Sequence, residues 1–254
     1  MHPLLTSLAL LLLPACASQP ARPNIQPSTL LERTVTINNE PHKFAIWVPA
    51  NYNPKTPTPC VLFLHGSGEC GSDGLKQTTV GLLPAAKADP AQWPCIIVMP
   101  QKPTQQSEWE DHDLLVLACL TSAQHELNID QHRTSLTGLS QGGHGTWTIG
   151  ARHPDLFCAL APVCGYVHMR HGAAAPALDP DQPATLKPLT HKPIWAFHGE
   201  KDDVVPPEES KHMIAALKQI HTTPEPRLTL FPDANHNSWD AAYRTVNLGQ
   251  WLTK

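Results

Sequence analysis

Early in the chain, apolar and polar residues follow a period of about two. Thr34-Val35-Thr36-Ile37-Asn38 and Lys43-Phe44-Ala45-Ile46-Trp47-Val48-Pro49 flank Asn38-Asn39-Glu40-Pro41, which predicts a half-exposed antiparallel hairpin. After a loop over residues 51–59 the pattern changes. Residues 60–64 (Cys-Val-Leu-Phe-Leu) and 95–99 (Cys-Ile-Ile-Val-Met) are short continuous apolar runs, as expected of strands covered on both faces. Residues 75–87 between them read as an irregular helix. Residues 113–127 read as a firmer one, capped by Asp111 and Asp113, with an apolar stripe of Leu114, Leu117, Leu120 and Leu127. Further strands are predicted at 133–137, 156–163, 193–198 and 227–231, and helices at 145–152, from 206 onward, and at 238–252. Pro206-Pro207-Glu208-Glu209 opens the second of these, and Met213, Ile214, Leu217 and Ile220 form its core face. Residues 165–192 carry prolines at 176, 180, 183 and 188 and read as a surface excursion after the sixth strand.

Strands alternating with helices after a hairpin predict an α/β fold. The expected architecture is a mostly parallel twisted sheet with helices on both faces and ligands at the carboxyl ends of its strands. At 254 residues the chain can bury a sizeable core. Charged residues make up 16%, the formal net charge is −4 and no Lys/Arg block occurs, so nucleic acid is not an expected partner.

The N-terminus changes the picture of domain organisation. The apolar run 4–13, followed by Pro14-Ala15-Cys16-Ala17, reads as an export signal over residues 1–17. Leu13-Pro14-Ala15-Cys16 resembles the bacterial lipoprotein box, which would make Cys16 a lipidated N-terminus. The protein would then be anchored to a membrane facing the periplasm or the exterior; cleavage after Ala17 would instead leave it soluble. Residues 18–30 would be a tether and residues 31–254 a single domain. Without Cys16, six of the seven cysteines remain, at 60, 70, 95, 119, 158 and 164. An oxidising compartment permits pairing, and Cys60 could lie level with Cys95 if their strands are neighbours; buried free thiols are the alternative.

The chemistry clusters at predicted strand ends. Gly138-Leu139-Ser140-Gln141-Gly142 joins a strand to a helix in the G-x-S-x-G pattern, where glycines relieve the crowding of a sharp turn and the Ser hydroxyl projects above the sheet. A Ser hydroxyl needs a base and the base needs an orienting carboxylate. His198-Gly199-Glu200-Lys201-Asp202-Asp203-Val204-Val205-Pro206 and Phe231-Pro232-Asp233-Ala234-Asn235-His236 follow later strands and offer them in the order Ser, acid, His.

Together with Leu64-His65-Gly66-Ser67-Gly68 and His236-Asn237-Ser238-Trp239, these motifs resemble bacterial esterases of the α/β-hydrolase superfamily, including carboxylesterase/phospholipase-like, dienelactone-hydrolase-like and polyhydroxybutyrate-depolymerase-like proteins and predicted peptidases. The resemblance spans about residues 60–240. It implies Ser140 as nucleophile, Asp202 as acid with Asp203 the alternative, and His236 as base. His65 and His198 would support the loops beside the elbow, each also being an alternative base to His236. The oxyanion hole would be the backbone N–H groups of Gln141 and Ser67, with Gly66 the alternative to Ser67. Trp109, Tyr166 and Trp239 are candidate substrate contacts. No cofactor is implied. Fifteen histidines invite a metal reading, but His168-Met169-Arg170-His171 lies in the excursion and no HExxH occurs, so no metal is expected. The expected partner is a small-molecule or polymer-linked ester, such as an acetyl or feruloyl group on polysaccharide. The runner-up is a serine peptidase or polyester depolymerase, and a catalytically silent binding lipoprotein is the reading of another class. Oligomeric state is left open.

Overall fold

The computed structural model describes residues 25–167 and 178–254. The expected signal sequence, Cys16 and the His168–His171 segment lie outside these residues. The expected tether lies only partly inside them. Strand β1 (Thr29–Ile37) begins within the tether stretch, and Ile25 already packs against the core.

One eight-stranded sheet organises the chain, in the order β1-β2-β4-β3-β5-β6-β7-β8. The strands are β1, β2 (Glu40–Val48), β3 (Thr58–Leu64), β4 (Ile96–Pro100), β5 (Ile129–Leu139), β6 (Leu160–Val163), β7 (Trp195–Gly199) and β8 (Arg227–Phe231). The hairpin turn is only Asn38-Asn39, both at positive φ (52° and 66°), a conformation Asn tolerates and a tight hairpin turn needs. β2 meets β4 antiparallel; all pairs from β4 to β8 are parallel. This is the α/β-hydrolase architecture expected, with the antiparallel hairpin on one edge.

Helices cover both faces. α2 (Asp113–Glu126), α3 (Gln141–Arg152) and α4 (Glu208–Gln219) pack on one face, and α1 (Leu82–Ala88), α5 (Trp239–Tyr243) and α6 (Leu248–Leu252) on the other. Alternation along each strand splits its side chains between the two cores: Leu62 and Leu64 go to the first, Val61 and Phe63 to the second.

Several local expectations differ from the structure. α2 buries Leu115, Val116, Cys119, Leu120 and Ala123, whereas Leu114 is 65% exposed and Leu117 only half-buried. The core face is therefore rotated from the predicted stripe, because the sheet selects which of two apolar faces it covers. Asp111 does not cap α2. It completes a capping box with Glu108 on the preceding 3-10 turn Trp109–His112. The predicted helix at 238–252 is two short helices, divided before Asn247, which is left-handed (φ 67°). The strand predicted at 156–163 begins only at Leu160. In the described part of the excursion, a 3-10 helix, Pro183–Leu189, buries Leu186 and Leu189, so this segment is packed rather than superficial.

All six described cysteines are free. Cys60 and Cys95 do lie on neighbouring strands, but Cys60 pairs with Ile96, one residue past Cys95. The one-residue offset puts Cys60 in the first core and Cys95 in the second, with the sheet between them. Burial pushes the Cys95 thiol up to about 12.

Candidate active site

β5 delivers Ser140 to the centre of the sheet's carboxyl end. Ser140 adopts φ 54° and ψ −117°, a strained conformation, and α3 starts at the next residue. The turn needs both glycines of the pattern: a Cβ at 142 would lie 2.0 Å from the Leu64 carbonyl oxygen, and one at 138 would lie 2.3 Å from the Gly142 carbonyl oxygen.

The loops after β7 and β8 bring the other two groups. Glu200 N–H bonds Phe231 O at 3.0 Å and Lys201 N–H bonds Ala234 O at 3.0 Å. Gly199 permits this contact, since a Cβ would meet the Ala234 and Asn235 carbonyl oxygens at 2.4 Å. Asp202 and His236, 34 residues apart, therefore meet: His236 Nδ1 lies 2.8 Å from Asp202 Oδ2 and 3.0 Å from Oδ1. On the other side of the ring, His236 Nε2 lies 2.9 Å from Ser140 Oγ. Ser140 and His236 are partly exposed, while the Asp202 carboxylate is buried. Exposed Asp203 forms no part of this chain.

Burial alone would raise the Asp202 carboxyl. Hydrogen bonds from His198, His236 and the N–H groups of Val205 and Val204 outweigh it and hold the group well below the usual carboxylate range. Val204 and Val205 N–H reach Oδ1 at 3.0 and 2.9 Å, and His198 Nε2 lies 3.2 Å from Oδ2. His198 is fully buried between this carboxylate, Val205 O and the Ser210 hydroxyl, so it buttresses the acid rather than facing Ser140. His65 is fixed likewise. Its Nδ1–H donates to Gly66 O at 2.6 Å and its Nε2 accepts the Lys102 N–H at 2.9 Å. Burial lowers its pKa to about 3, which keeps it neutral.

Ser67 and Gln141 are each the first residue of a helical segment, the 3-10 turn Ser67–Glu69 and α3 respectively. Backbone N–H groups at that position have no partner within the helix and point outward. The Gly66 backbone approaches the elbow so closely that a Cβ on Gly66 would lie 3.5 Å from Ser140 Cβ. The loop after β3 thus lies against the elbow.

The three aromatic candidates separate. Trp239 is half-buried beside His236, ring centroids 5.5 Å apart and edge-on. Tyr166 is buried, its hydroxyl donating to Glu108 Oε1 at 2.7 Å and its ring stacked on His144. Trp109 is fully buried. Its indole N–H donates to His65 O at 3.0 Å, so it anchors the loop after β3 from inside the core instead of lining a pocket.

Among the described residues, two sets of possible metal ligands converge within 4.8 Å: Cys164 with Asp202 and His236, and Glu108 with Glu110 and His144. The first reuses Asp202 and His236, already joined by their own hydrogen bonds. In the second, Glu110 bonds His144 and Thr148, and Glu108 accepts from Tyr166, forming a buried network behind α3. Sequence reading passed over this network, as well as Gln101, Lys102 and the Gln141 side chain. The available signal was Gln-Lys set between two prolines at the end of a buried strand, Pro100-Gln101-Lys102-Pro103, which ordinarily reads as an exposed loop.

The chain and its fold have known relatives. A family model described as "Putative esterase" matches residues 35–225. The chain is 30% identical over 115 residues to a "Putative carboxymethylenebutenolidase" of Escherichia coli K12, an alignment covering 45% of this chain and 40% of that protein. Among solved structures it resembles a thermostable esterase, with a TM-score of 0.73 and 29% identity over 88% of this chain and 62% of the other. It thus spans less than two thirds of either relative. It also shares its fold with a ferulic acid esterase of Anaeromyces mucronatus solved with ferulic acid, with a TM-score of 0.68 and 17% identity over 93% of each chain.

Proposed function

The chain belongs to this esterase family of α/β-hydrolase fold, and from that premise we propose that it is a serine carboxylic ester hydrolase using Ser140, His236 and Asp202. The observation that carries the reading is the continuous hydrogen-bond line from Ser140 Oγ through the His236 ring to Asp202, at 2.9 and 2.8 Å. Asp202 holds the proton on His236 Nδ1, which leaves Nε2 free to accept the Ser140 proton. Ser140 Oγ then attacks the ester carbonyl carbon, and the carbonyl oxygen becomes an oxyanion that accepts hydrogen bonds from the Ser67 and Gln141 N–H groups. Collapse breaks the C–O bond, and the alcohol leaves with the proton held on His236. Water, deprotonated by His236, attacks the acyl-serine, and collapse frees the acid and restores the Ser140 hydroxyl.

For substrate we propose small acyl or aryl esters, including acetyl or feruloyl groups carried on polysaccharide. Trp239, half-buried against His236, offers an aromatic wall to an aryl acid or alcohol. The ferulic acid bound by the Anaeromyces mucronatus enzyme supports the same class by analogy of fold. A peptidase or polyester depolymerase activity is the alternative for the same machinery. Export and lipidation at Cys16 remain proposals from the N-terminal sequence, which mass spectrometry of the mature N-terminus tests.

Ser140→Ala is expected to abolish hydrolysis of p-nitrophenyl acetate while leaving the circular dichroism spectrum unchanged. A fluorophosphonate probe should label the wild type and not this variant. Full activity in Ser140→Ala would remove Ser140 from the mechanism, and a well-folded wild type that neither hydrolyses esters nor takes the probe would favour a silent binding protein. A panel of p-nitrophenyl esters of rising chain length, methyl ferulate, acetylated xylan and a peptide anilide separates the substrate classes.

A further inference from the structure

Beyond the three reacting groups, one segment contacts both sides of the site. Gln101 and Lys102 follow the end of β4, between the loop that carries Ser67 and the elbow that carries Gln141. Lys102 is fully buried. Its Nζ donates to Thr104 O at 2.6 Å, Ser107 O at 2.5 Å and the side-chain Oε1 of Gln141 at 2.9 Å. Gln141 Nε2 in turn donates to Gln105 O at 3.1 Å and Ser107 O at 3.0 Å. The Gln141 side chain is therefore held at both its oxygen and its nitrogen.

The backbone of the same segment holds the opposite loop. Lys102 N–H donates to His65 Nε2 at 2.9 Å, and Lys102 O accepts from Gly71 N–H at 3.0 Å. Gln101 Nε2 donates to Glu69 O at 3.1 Å, and Gln101 Oε1 accepts from Gly74 N–H at 2.6 Å. Gln101 Nε2 also donates to Asp73 Oδ1 at 3.1 Å, so residues 65–74 are fixed at five points by two consecutive residues. The three oxygen acceptors around the ammonium are all neutral. Burial pushes the Lys102 pKa down, and nearby Cys70, Glu108 and Asp111 offset this only in part, which means that holding the charge costs stability.

We propose that Lys102 and the Gln141 side chain form a positioning pair for the oxyanion hole: they aim the Gln141 N–H and hold a cation where negative charge develops in the transition state. The proposal rests on the serine-hydrolase reading above. Lys102 touches no reacting atom; it acts through Gln141.

The test compares Lys102→Met, Gln141→Leu and the double variant with wild type on p-nitrophenyl acetate. It also measures inhibition by phenylboronic acid, which forms a tetrahedral anion on the serine. Each single variant is expected to lower kcat about 10- to 100-fold, less than removing a donor outright. KM should stay within about 3-fold, since the ground-state ester carries no charge for the cation to meet. Boronate affinity should fall in step with kcat, and the double variant should lose no more than the worse single one, as expected of groups that act as a unit. Unchanged kcat in folded Lys102→Met, or a kcat loss without loss of boronate affinity, overturns the proposal. If Lys102→Met does not fold, Gln141→Leu decides by the same two readings. Fluorophosphonate labelling of the wild type keeps the two ideas apart: labelled wild type with unaffected variants sinks only the positioning pair, whereas unlabelled wild type sinks the serine mechanism and this proposal with it.

Discussion

Replacing Asp202 by Asn tests the site most sharply, because every group facing this carboxylate is a donor. Val204 and Val205 N–H reach one oxygen, His198 Nε2 reaches the other, and His236 Nδ1 reaches both. An Asn oxygen can keep the two backbone bonds, but its NH2 must then point at His236 and His198. His236 accommodates this only by carrying its proton on Nε2, facing Ser140, the tautomer that cannot accept the Ser140 proton. By comparison with the same change in another serine hydrolase, kcat should fall about 10³- to 10⁴-fold. That is about 4–5.5 kcal/mol at 1.36 kcal/mol per decade. The crowded donors should also cost about 1–3 kcal/mol of stability. For a domain of this size that lowers Tm by roughly 2–10 °C. Because the native carboxyl lies below its ordinary 3.8, it contributes stability present above about pH 4 and lost as pH falls, and the Asn variant should lack this acid-side loss. The assay is the initial rate of p-nitrophenyl acetate hydrolysis at saturation, with Asp203→Asn as the control expected to stay within about twofold. A loss below about tenfold for Asp202→Asn, or a comparable loss for Asp203→Asn, would refute the assignment of the acid.

Two further predictions concern the supports. Trp109→Ala should destabilise the fold by about 3–5 kcal/mol in urea unfolding, with KM little changed where protein remains folded; a raised KM at unaltered stability would return Trp109 to the substrate pocket. His65 is held at about 3 against 6.5 when free, so its unfolded form takes up a proton first and stability falls as pH drops below about 6.5. By pH 5 the loss should approach about 2 kcal/mol. The urea midpoint should shift accordingly between pH 7 and 5, and a His65→Asn variant that keeps the full slope would show that another group carries it.

Chain-local chemistry made much of this protein legible. The G-x-S-x-G turn and the change from alternating to continuous apolar runs depend on residues close in sequence, and the resemblance to α/β-hydrolase esterases added the order Ser, acid, His. The local patterns predicted the elbow and the sheet, and the resemblance named Ser140, His236 and Asp202, which the fold joins in one hydrogen-bond line. The same signals could not phase α2, because two of its faces are apolar and only the sheet decides which one is buried. They could not decide Cys60 against Cys95 either, since a single residue of register puts the two thiols on opposite sides of the sheet. Trp109 read as a loop aromatic because its loop is polar, yet the fold turns its ring inward under His65. Lys102 was least legible of all. A lysine after a strand ordinarily ends in water, and only the convergence of the 104–107 turn and Gln141 gives its ammonium three acceptors in the interior. The sequence determined which reacting groups the chain possesses. The tertiary structure decided which side chains hold them in place, because those contacts join residues up to about forty positions apart and no local pattern encodes them.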